Sequence, residues 1–311
     1  MKRLIRSIKI IVIAVLILLI AQIFYFIYLS PTEEYPKDNY LENAQNKTAL
    51  IVVAHDDDAS FFAGTTAKLT KAGWDINFIT FYSKQWRAEE YDIRKQEMRE
   101  VADYLSFKNL WMHDLRIRHE INPNGKPWMP MEYKYYKEEF NVDSLYQLIS
   151  TAILKSKPSV ILMLDTVMGF YGHNDHTVVG QVTYNAAKNI NDSNKIIERI
   201  YQYVWPPSYA EKVMGGKEVY EAAKKIYKIE GMPKPTVEID ISDYAAEKKK
   251  VLELHASQQR NLTKLFWAYS YYPAWLYFGI FNTEYFNLEK IIDSEKYFSF
   301  KFHQIDKLAN K

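Results

Sequence analysis

Two short clusters of His and Asp have the residue types and spacing of a metal site. The first reads Ala-His-Asp-Asp-Asp over residues 54–58, and the second reads Gly-His-Asn-Asp-His over residues 172–176. Three consecutive carboxylates repel one another unless a cation compensates their charge. In each cluster the first His is followed three residues later by a second possible ligand, and a strand-to-helix turn brings such a pair together. The sequence therefore predicts a site for one cation.

A mixed His/Asp site that leaves one coordination position open is typical of catalytic zinc. A neighbouring carboxylate such as Asp57 could deprotonate the bound water. Cysteine is absent from the chain, so any metal must be held by His and carboxylate side chains. Each cluster alone has another interpretation, because acidic turns are common at helix N-termini and a single His-x-x-His pair need not bind metal.

Apolar segments precede both clusters and predict the elements that position them. Short β-branched or alternating runs predict strands over residues 49–54, 75–81 and 160–164. Amphipathic or apolar spacing predicts helices over residues 59–72, 87–105, 142–154 and 176–188. This alternation predicts a Rossmann-like, layered α/β fold with a mostly parallel sheet. Sites in such sheets form at the carboxyl ends of the strands, where both clusters fall.

The amino-terminal segment predicts one transmembrane helix. Residues 10–29 carry no charge and have the length that a helix needs to cross a bilayer. A cleaved signal peptide is the alternative, but its apolar region is usually shorter and ends at small residues. Residues 1–9 hold four basic residues, which predicts a cytoplasmic amino terminus and an extracytoplasmic catalytic domain, in the periplasm or at the cell surface. Residues 30–45 are predicted to be a tether, and residues 46–311 the catalytic domain.

The composition excludes some partners and leaves others open. The formal net charge of +2 does not indicate a nucleic-acid partner. Aromatic residues form 15% of the chain, which suits sugar stacking as well as a Tyr-rich core. Residues 115–140 and 206–236 are predicted loops around the site, with Trp86 and Trp128 as candidate sugar contacts. The aromatic segment 267–286 could bind a polysaccharide, enter the membrane interface or pack on the core, and the oligomeric state stays open.

The two clusters resemble the motifs of the PIG-L/LmbE-like deacetylases, zinc enzymes that remove acetyl from N-acetylglucosaminyl compounds. Their first motif, Ala-His-Pro-Asp-Asp-Glu, is similar to Ala-His-Asp-Asp-Asp-Ala at residues 54–59. Their second, Gly-Tyr-Gly-His-Pro-Asp-His, is similar to Phe-Tyr-Gly-His-Asn-Asp-His at residues 170–176. The resemblance covers about residues 48–260. Weaker matches are the stretch from Gly64 to Gly73, Arg94-x-x-Glu97, Ile-Ser-Asp-Tyr at 241–244 and His-Ala-Ser-Gln at 255–258.

The resemblance implies a Zn²⁺ cofactor and a role for each of seven residues. These roles are His55, Asp58 and His176 as zinc ligands, Asp57 as general base, His173 as oxyanion donor and acid for the amine, Asp175 as the residue that orients His173, and Tyr171 as a side chain lining the site. Since no proposed ligand or base is missing, the resemblance implies an active site.

Other positions are substrate contacts or departures from the motifs. We count Arg94 with the two tryptophans above as a candidate substrate contact. The departures are Asp56, Ala59, Phe170 and Asn174, which stand where the family has proline, glutamate, glycine and proline. Asp56 is expected only to loosen its turn.

The predicted function is the removal of an acetyl group from an N-acetylated amino sugar in a surface polysaccharide, glycan or glycolipid. Two alternatives stay open at this point. One is a membrane-tethered carbohydrate-binding protein whose site no longer catalyses. The other is a zinc amidase with a non-sugar acyl substrate. The sequence does not identify the glycan.

Overall fold

A computed structural model of the protein describes residues 2–85, 88–119 and 126–290. The strands within these residues are β1 (Thr48–Val52), β2 (Asp75–Phe81), β3 (Asn109–His113), β4 (Val160–Leu164), β5 (Arg199–Tyr203), β6 (Val237–Asp240) and β7 (Thr283–Lys290). They form one sheet in the order β3-β2-β1-β4-β5-β7-β6. Strands β1 to β5 are parallel, and β7 runs antiparallel to both β5 and β6. The predicted α/β fold with a mostly parallel sheet is confirmed.

Helices cover both faces of the sheet. They are α1 (Lys2–Leu29), α2 (Tyr40–Asn43), α3 (Ala63–Lys71), α4 (Ala88–Tyr104), α5 (Tyr136–Glu139), α6 (Val142–Ser156), α7 (Gly169–Gly172), α8 (Asn174–Asn194), α9 (Pro207–Met214), α10 (Glu218–Tyr227), α11 (Ala245–Leu254), α12 (Gln259–Leu262) and α13 (Ala274–Ile280). Each of the predicted strands and helices is present, with ends shifted by a few residues.

Alternate residues of β1 enter two different cores, because successive side chains of a strand point to opposite faces. Ala49 and Ile51 pack in the core that α3, α4 and α11 cover. Leu50 and Val52 pack in the core that α6 and α8 cover. All four side chains are buried, so the layered arrangement follows from an uninterrupted apolar strand.

The register of the central strands brings the two clusters to one edge of the sheet. Val52 near the end of β1 lies opposite Met163 near the end of β4, and the strands are parallel neighbours. The chain therefore leaves both strands at the same edge, as the sequence predicts. Residues 54–58 and 172–176 follow at that edge.

Two parts of the sequence prediction differ from the structure in the carboxyl-terminal half. The predicted loop 206–236 contains α9 and α10. Strands β5, β6 and β7 were not predicted, and neither was β3. In β5 the polar Arg199 and Gln202 interrupt the apolar pattern, and in the sheet Gln202 is buried and hydrogen-bonded. The aromatic segment 267–286 packs largely on the core, and its last residues begin β7.

One described helix, α1, is long and apolar enough to cross a membrane, judged over Arg3–Leu29. The basic segment 1–9, as far as it is described, continues this helix rather than preceding it. The predicted tether 30–45 is not a free linker. Asp38 accepts a hydrogen bond from Arg199 at 2.8 Å and one from Tyr201, and Leu41 is buried. These contacts attach the segment to the domain.

Candidate metal centre and active site

The first cluster is shaped by a turn of 3-10 helix directly after β1. His55 has extended backbone angles and precedes the helix Asp56–Phe61. The carboxylate of Asp58 accepts the backbone N–H of His55 at 2.9 Å. This bond holds the two candidate ligands, three residues apart, on the same side of the turn. The predicted pairing of His55 with Asp58 therefore has a backbone cause.

The second cluster depends on Asp165, a buried residue that follows β4 and that the sequence analysis missed. Its carboxylate accepts the backbone N–H groups of Val167 at 2.9 Å, Met168 at 2.8 Å and Phe170. Burial raises the pKa of Asp165, while these hydrogen bonds act in the opposite direction. The carboxylate thus shapes the loop that leads into the second cluster. The sequence signal that could have identified Asp165 is an acidic residue directly after a fully buried strand.

Two residues of that loop have left-handed backbone angles. A Cβ atom on Gly169, at φ +61°, would lie 2.6 Å from the Cβ of His176, so glycine permits the close approach. Phe170 has φ 74° where the similar motif has glycine. Its ring packs at 4.8 Å from the ring of Phe61 and 4.6 Å from that of Trp205. This packing offsets a backbone strain of roughly 1–3 kcal/mol.

Three candidate ligands converge, with two of their three pairs at the spacing of a tetrahedral site and the third, His55 Nδ1 to Asp58 Oδ2, at 3.7 Å. His55 Nδ1 lies 3.3 Å from His176 Nε2, and His176 Nε2 lies 3.3 Å from Asp58 Oδ1. Zinc–nitrogen bonds of about 2.0–2.1 Å place two ligand atoms about 3.3 Å apart in a tetrahedron. The three residues that the sequence predicts as ligands therefore fit one zinc ion. With three protein ligands, the fourth position is left for water or substrate.

Both imidazoles are oriented by a second hydrogen bond. His55 Nε2 lies 3.1 Å from Asp175 Oδ2, and His176 Nδ1 lies 3.2 Å from the carbonyl oxygen of Gly169. Metal-binding histidines usually have such a partner on the nitrogen that faces away from the metal. Burial lowers the pKa of His55, but the hydrogen bond to Asp175 and the charges of Asp58, Asp175 and Asp57 raise it to about 9. The negative charges of Asp57, Asp58 and Asp175 that raise this pKa also favour binding of a divalent cation.

A second possible group consists of His55, His173 and Asp175. It fits a metal less well because its atoms already bond to one another. His173 Nδ1 accepts the backbone N–H of Asp175 at 3.1 Å, and the Asp175 carboxylate is bonded to His55. The buried group with Asp58 and His176 is the better metal site.

Arg94 forms ion pairs with two carboxylates of the acidic turn, Asp56 and Asp57. Its Nη2 atom lies 2.6 Å from Asp56 Oδ1 and 2.7 Å from Asp57 Oδ1, and its Nε donates to Asp56 at 2.9 Å. Burial raises the pKa of Asp57, but the charge of Arg94 is among the larger effects that bring it below its usual value. Asp57 is therefore an ionised carboxylate beside the metal site, as a general base requires.

The structure differs from two expectations about this turn. Arg94 was predicted to contact substrate, but it is buried and its guanidinium group bonds to two carboxylates. Asp56 was expected only to loosen the turn, but it is the buried bidentate partner of Arg94. Two of the weaker motif matches, at residues 94–97 and 255–258, also lie beside this turn. Glu97 accepts two hydrogen bonds from Ser257 at 2.7 Å, and His255 lies 3.9 Å from Asp56.

His173 is held in one orientation by a backbone group. Because His173 Nδ1 accepts the N–H of Asp175, the neutral ring carries its hydrogen on Nε2. The backbone amide of Asp175 thus orients His173, while the side-chain carboxylate of Asp175 is hydrogen-bonded to His55. Tyr171 lies beside them, with its ring centroid 5.2 Å from that of His176. Burial raises the pKa of Tyr171 far above its usual value, so its hydroxyl is a hydrogen-bond donor.

A rim loop is attached to the site by Asn174. Its side-chain oxygen accepts the backbone N–H of Met131 at 3.0 Å, and its amide donates to the carbonyl of Met129. These bonds place the exposed side chain of Trp128 on the loop that adjoins His173. The other tryptophan proposed as a sugar contact, Trp86, lies outside the described residues.

Comparison with known protein families assigns the region that contains both clusters. Residues 50–187 match the model of the PIG-L family, described as GlcNAc-PI de-N-acetylase. The match begins in β1 and ends in α8, so it includes every candidate ligand. Residues 50–187 are a PIG-L domain. The predicted enzyme class, a deacetylase that hydrolyses an amide bond, is confirmed.

Several solved structures share the fold of this chain. The N,N'-diacetylchitobiose deacetylase from Pyrococcus horikoshii has a TM-score of 0.52 at 17% identity, covering 82% of this chain and 88% of its own. A deacetylase of the teicoplanin biosynthesis pathway has 0.50 at 15% identity, covering 79% and 100%. The 4-carboxy-2-hydroxymuconate hydratase GalB from Pseudomonas putida has 0.50 at 14% identity, covering 81% and 100%. A search of curated protein sequences finds no match.

One of these structures is a hydratase, so the shared fold does not by itself identify the reaction. At such low identities the likeness concerns the fold alone, and one fold can carry different reactions. The substrate and the reacting groups must therefore be argued from the site itself.

Proposed function

We propose that the PIG-L domain of this protein is a zinc-dependent hydrolase that removes the acetyl group from an N-acetylated amino sugar. The observation that carries the proposal is the convergence of ligand atoms of His55, Asp58 and His176 within 4.8 Å of one another, with the ionised Asp57 in the same turn. Each imidazole has the second partner that a metal ligand needs. The arrangement is that of a hydrolytic site with one open coordination position.

The family description and the site's surroundings support an amino sugar as substrate. The matching model is that of a GlcNAc-PI de-N-acetylase, and the Pyrococcus structure is that of a diacetylchitobiose deacetylase. Trp128 offers an exposed aromatic face on the rim for stacking on a sugar ring. We propose a surface polysaccharide, glycan or glycolipid as the molecule that carries the sugar.

The reaction begins with the activation of water. A zinc ion held by His55, Asp58 and His176 would supply a polarised water of lowered pKa and a Lewis acid for the acetamide carbonyl. Asp57 accepts one proton of the water through Oδ2, the oxygen to which Arg94 is not bonded. The water oxygen forms a bond to the carbonyl carbon, and negative charge develops on the carbonyl oxygen.

The surrounding side chains complete the hydrolysis. The Nε2–H of His173 and the hydroxyl of Tyr171 donate hydrogen bonds to the developing oxyanion. The carbon–nitrogen bond then breaks, and the nitrogen receives the proton held by Asp57. This yields the amine and acetic acid, and the acid's remaining proton passes to the amine, giving acetate and the ammonium form. We assign the proton that the departing nitrogen receives to Asp57 rather than to His173, because the backbone N–H of Asp175 holds His173 as a neutral imidazole.

The domain is proposed to act outside the cytoplasm, with α1 as its anchor. The helix is long and apolar enough to cross a membrane. The basic residues at its start favour a cytoplasmic amino terminus. A cleaved signal peptide fits less well, because Phe26 near the end of α1 is buried in the domain core.

The test is acetate release and zinc content of the full-length protein in detergent, with N,N'-diacetylchitobiose and GlcNAc-phosphatidylinositol as substrates. We expect Asp57→Asn to lower turnover by about 10²-fold or more while the protein keeps about one zinc ion. His176→Ala should lose both zinc and turnover.

The matched control is Asp92→Asn, an exposed carboxylate on α4, which should keep both properties. Unchanged turnover in Asp57→Asn would contradict the assignment of the base. A zinc-loaded protein that releases acetate from neither sugar would contradict the proposed substrate.

A further inference from the structure

The last turns of α1 belong to the core of the catalytic domain. Phe26 is 1% exposed. Its ring lies 5.2 Å from that of Tyr272, 5.4 Å from that of Tyr277 and 5.8 Å from that of Trp267. Gln22, one turn earlier, accepts a hydrogen bond from the Tyr272 hydroxyl. The end of the helix is therefore held in a fixed orientation on the domain.

The chain that leaves α1 is held as well. Lys212 Nζ donates to the carbonyl oxygens of Tyr28 at 2.7 Å and Ser30 at 3.3 Å, which would otherwise be unpaired at the helix end. Glu33 accepts the backbone N–H of Ser208 at 2.8 Å. No flexible joint separates the helix from the domain in this described part of the chain. A membrane that contains α1 therefore has a defined position relative to the domain.

Three large aromatic side chains lie exposed beside this junction. Trp267 is 49% exposed, Tyr271 86% and Trp275 71%. We call these three residues the aromatic patch. Trp267 also contacts the ring of Tyr25 on α1 at 5.7 Å. Tyr271 directly precedes Tyr272, and Trp275 lies two positions before Tyr277; both of these tyrosines pack on Phe26. The patch is thus continuous with the lipid-facing surface of the helix.

Such exposure is costly in water and favourable at a bilayer surface. Large apolar side chains lose about 25 cal/mol of stabilisation for each Å² of apolar surface left in water. Trp and Tyr are enriched at membrane–water interfaces, because their rings are apolar and their N–H or O–H groups can still reach water. The position of the patch, beside the end of an apolar helix, is where an interfacial aromatic belt is expected.

We propose that the aromatic patch lies in the interfacial layer of the bilayer that α1 crosses, so that the catalytic domain rests against the membrane in one orientation. This inference rests on the proposed membrane anchor. The partner is the phospholipid surface itself, since the patch extends the surface of a helix that lipid surrounds. The patch then acts with α1 as a second point of attachment.

The experiment uses the absence of cysteine from the sequence. Single cysteines are introduced into the full-length protein at Ser270, Phe24 and Ser193, labelled with an environment-sensitive fluorophore, and reconstituted in phosphatidylcholine vesicles. Ser270 is exposed beside Tyr271, and its replacement leaves all three rings of the patch in place. Phe24 reports on the helix, and exposed Ser193, at the far end of α8, is the matched serine-to-cysteine control.

Lipids with a nitroxide near the headgroup should quench the Ser270→Cys label several-fold more than the Ser193→Cys label. The Phe24→Cys label should be quenched in the same vesicles. Equal quenching of the Ser270→Cys and Ser193→Cys labels, with Phe24→Cys quenched, would overturn the interfacial patch and leave the anchor intact. An unquenched Phe24→Cys label would overturn both the anchor and the patch.

Discussion

At the scale of single residues, the acidic turn depends on how Arg94 shares its guanidinium group. One planar cation bonds Asp56 in a bidentate pair and Asp57 through a single nitrogen. Such charge-assisted bonds are among the strongest in proteins, and they fix direction as well as charge. Arg94 therefore positions Asp57, the proposed general base, without touching the proposed reacting atoms.

Replacing Arg94 with lysine tests this positioning role. We expect Arg94→Lys to lower kcat about tenfold or more, because an ammonium group cannot bond both carboxylates in the same geometry. KM and zinc content should stay close to those of the unmodified protein. Steady-state kinetics and metal analysis measure these quantities.

The matched control is Arg99→Lys, an exposed position on the same helix, which should change none of them. A raised KM with unchanged kcat would instead support the substrate contact predicted from the sequence.

The sequence predicts which side chains form the metal site but not how they are oriented. His55 and Asp58 are close in the chain, so their spacing alone places them together. Arg94 lies 38 positions from Asp56, and no local pattern links the two. Likewise, the bond of Asp175 to His55 spans 120 positions. Contacts of this kind arise only when the sheet has brought distant turns to one edge.

At the scale of elements, Glu284 of β7 joins three separate parts of one core. Its buried carboxylate accepts the backbone N–H groups of Gly64 at 3.0 Å and Thr65 at 2.9 Å, at the start of α3. It also accepts a hydrogen bond from Lys248 Nζ of α11 at 2.5 Å, and Lys248 donates a second hydrogen bond to the Phe61 carbonyl oxygen at 2.9 Å. The antiparallel strand thus connects both helices to the sheet.

Glu284→Gln should destabilise the fold by about 3–5 kcal/mol, since it leaves the charge of Lys248 buried without its partner. Burial already lowers the pKa of Lys248, and the substitution lowers it further. Between that pKa and the ordinary value of about 10.4, the unfolded chain binds more protons than the folded one. The stability deficit should therefore shrink as the pH rises.

Thermal unfolding at pH 7 and at pH 9.5 measures both the deficit and its pH dependence. Glu253→Gln removes a partly exposed pair with Lys249 and is the matched control, with an effect below about 1 kcal/mol. A deficit for Glu284→Gln that grows with pH would contradict a charged Lys248 in the core.

Whether an element was predicted depended on how clearly its pattern shows burial. Strand β4 is apolar at every position and β1 at every position after Thr48, and both were predicted. Strand β5 was missed because it buries a glutamine that Glu289 of β7 binds, a partner 87 positions away. Helices α9 and α10 were missed because prolines and glycines surround them; in the structure Pro207 starts α9 and Gly216 separates the two helices.

At the scale of the whole molecule, a row of aromatic rings connects α1 to the second cluster. Phe26 contacts Phe281, which contacts Tyr209, which contacts Trp205, with ring centroids 6.2, 5.6 and 4.4 Å apart. Trp205 packs on Phe170, directly before Tyr171 of the site. Helix α1 and the candidate active site therefore share one continuous core.

Phe26→Ala should lower the free energy of unfolding of the full-length protein by about 3–5 kcal/mol, because it leaves a cavity among four aromatic rings. Phe24→Ala, two positions earlier on the exposed side of α1, removes the same atoms and should change it little. Urea denaturation in a mild detergent, followed by tryptophan fluorescence, compares the two. Equal effects would contradict a core shared by helix and domain.

The sequence predicts the helix and the domain but not this shared core. In a soluble helix, a polar face shows which side is packed. Nearly every position of residues 10–29 is apolar, so the side that packs on protein looks like the side that faces lipid. Only the structure shows that Phe26 is buried while Phe24 is exposed.

The burial of Phe26 has a consequence for proteolytic release of the domain from its proposed membrane anchor. A protease that cuts after Leu29 would free the domain from the bilayer but remove the ring that fills the space between Trp267, Tyr272 and Tyr277. The released fragment would expose an apolar socket to water and tend to aggregate. Under the proposed function, such cleavage would inactivate the enzyme instead of dispersing it, and deacetylation would stay confined to the membrane that α1 is proposed to cross.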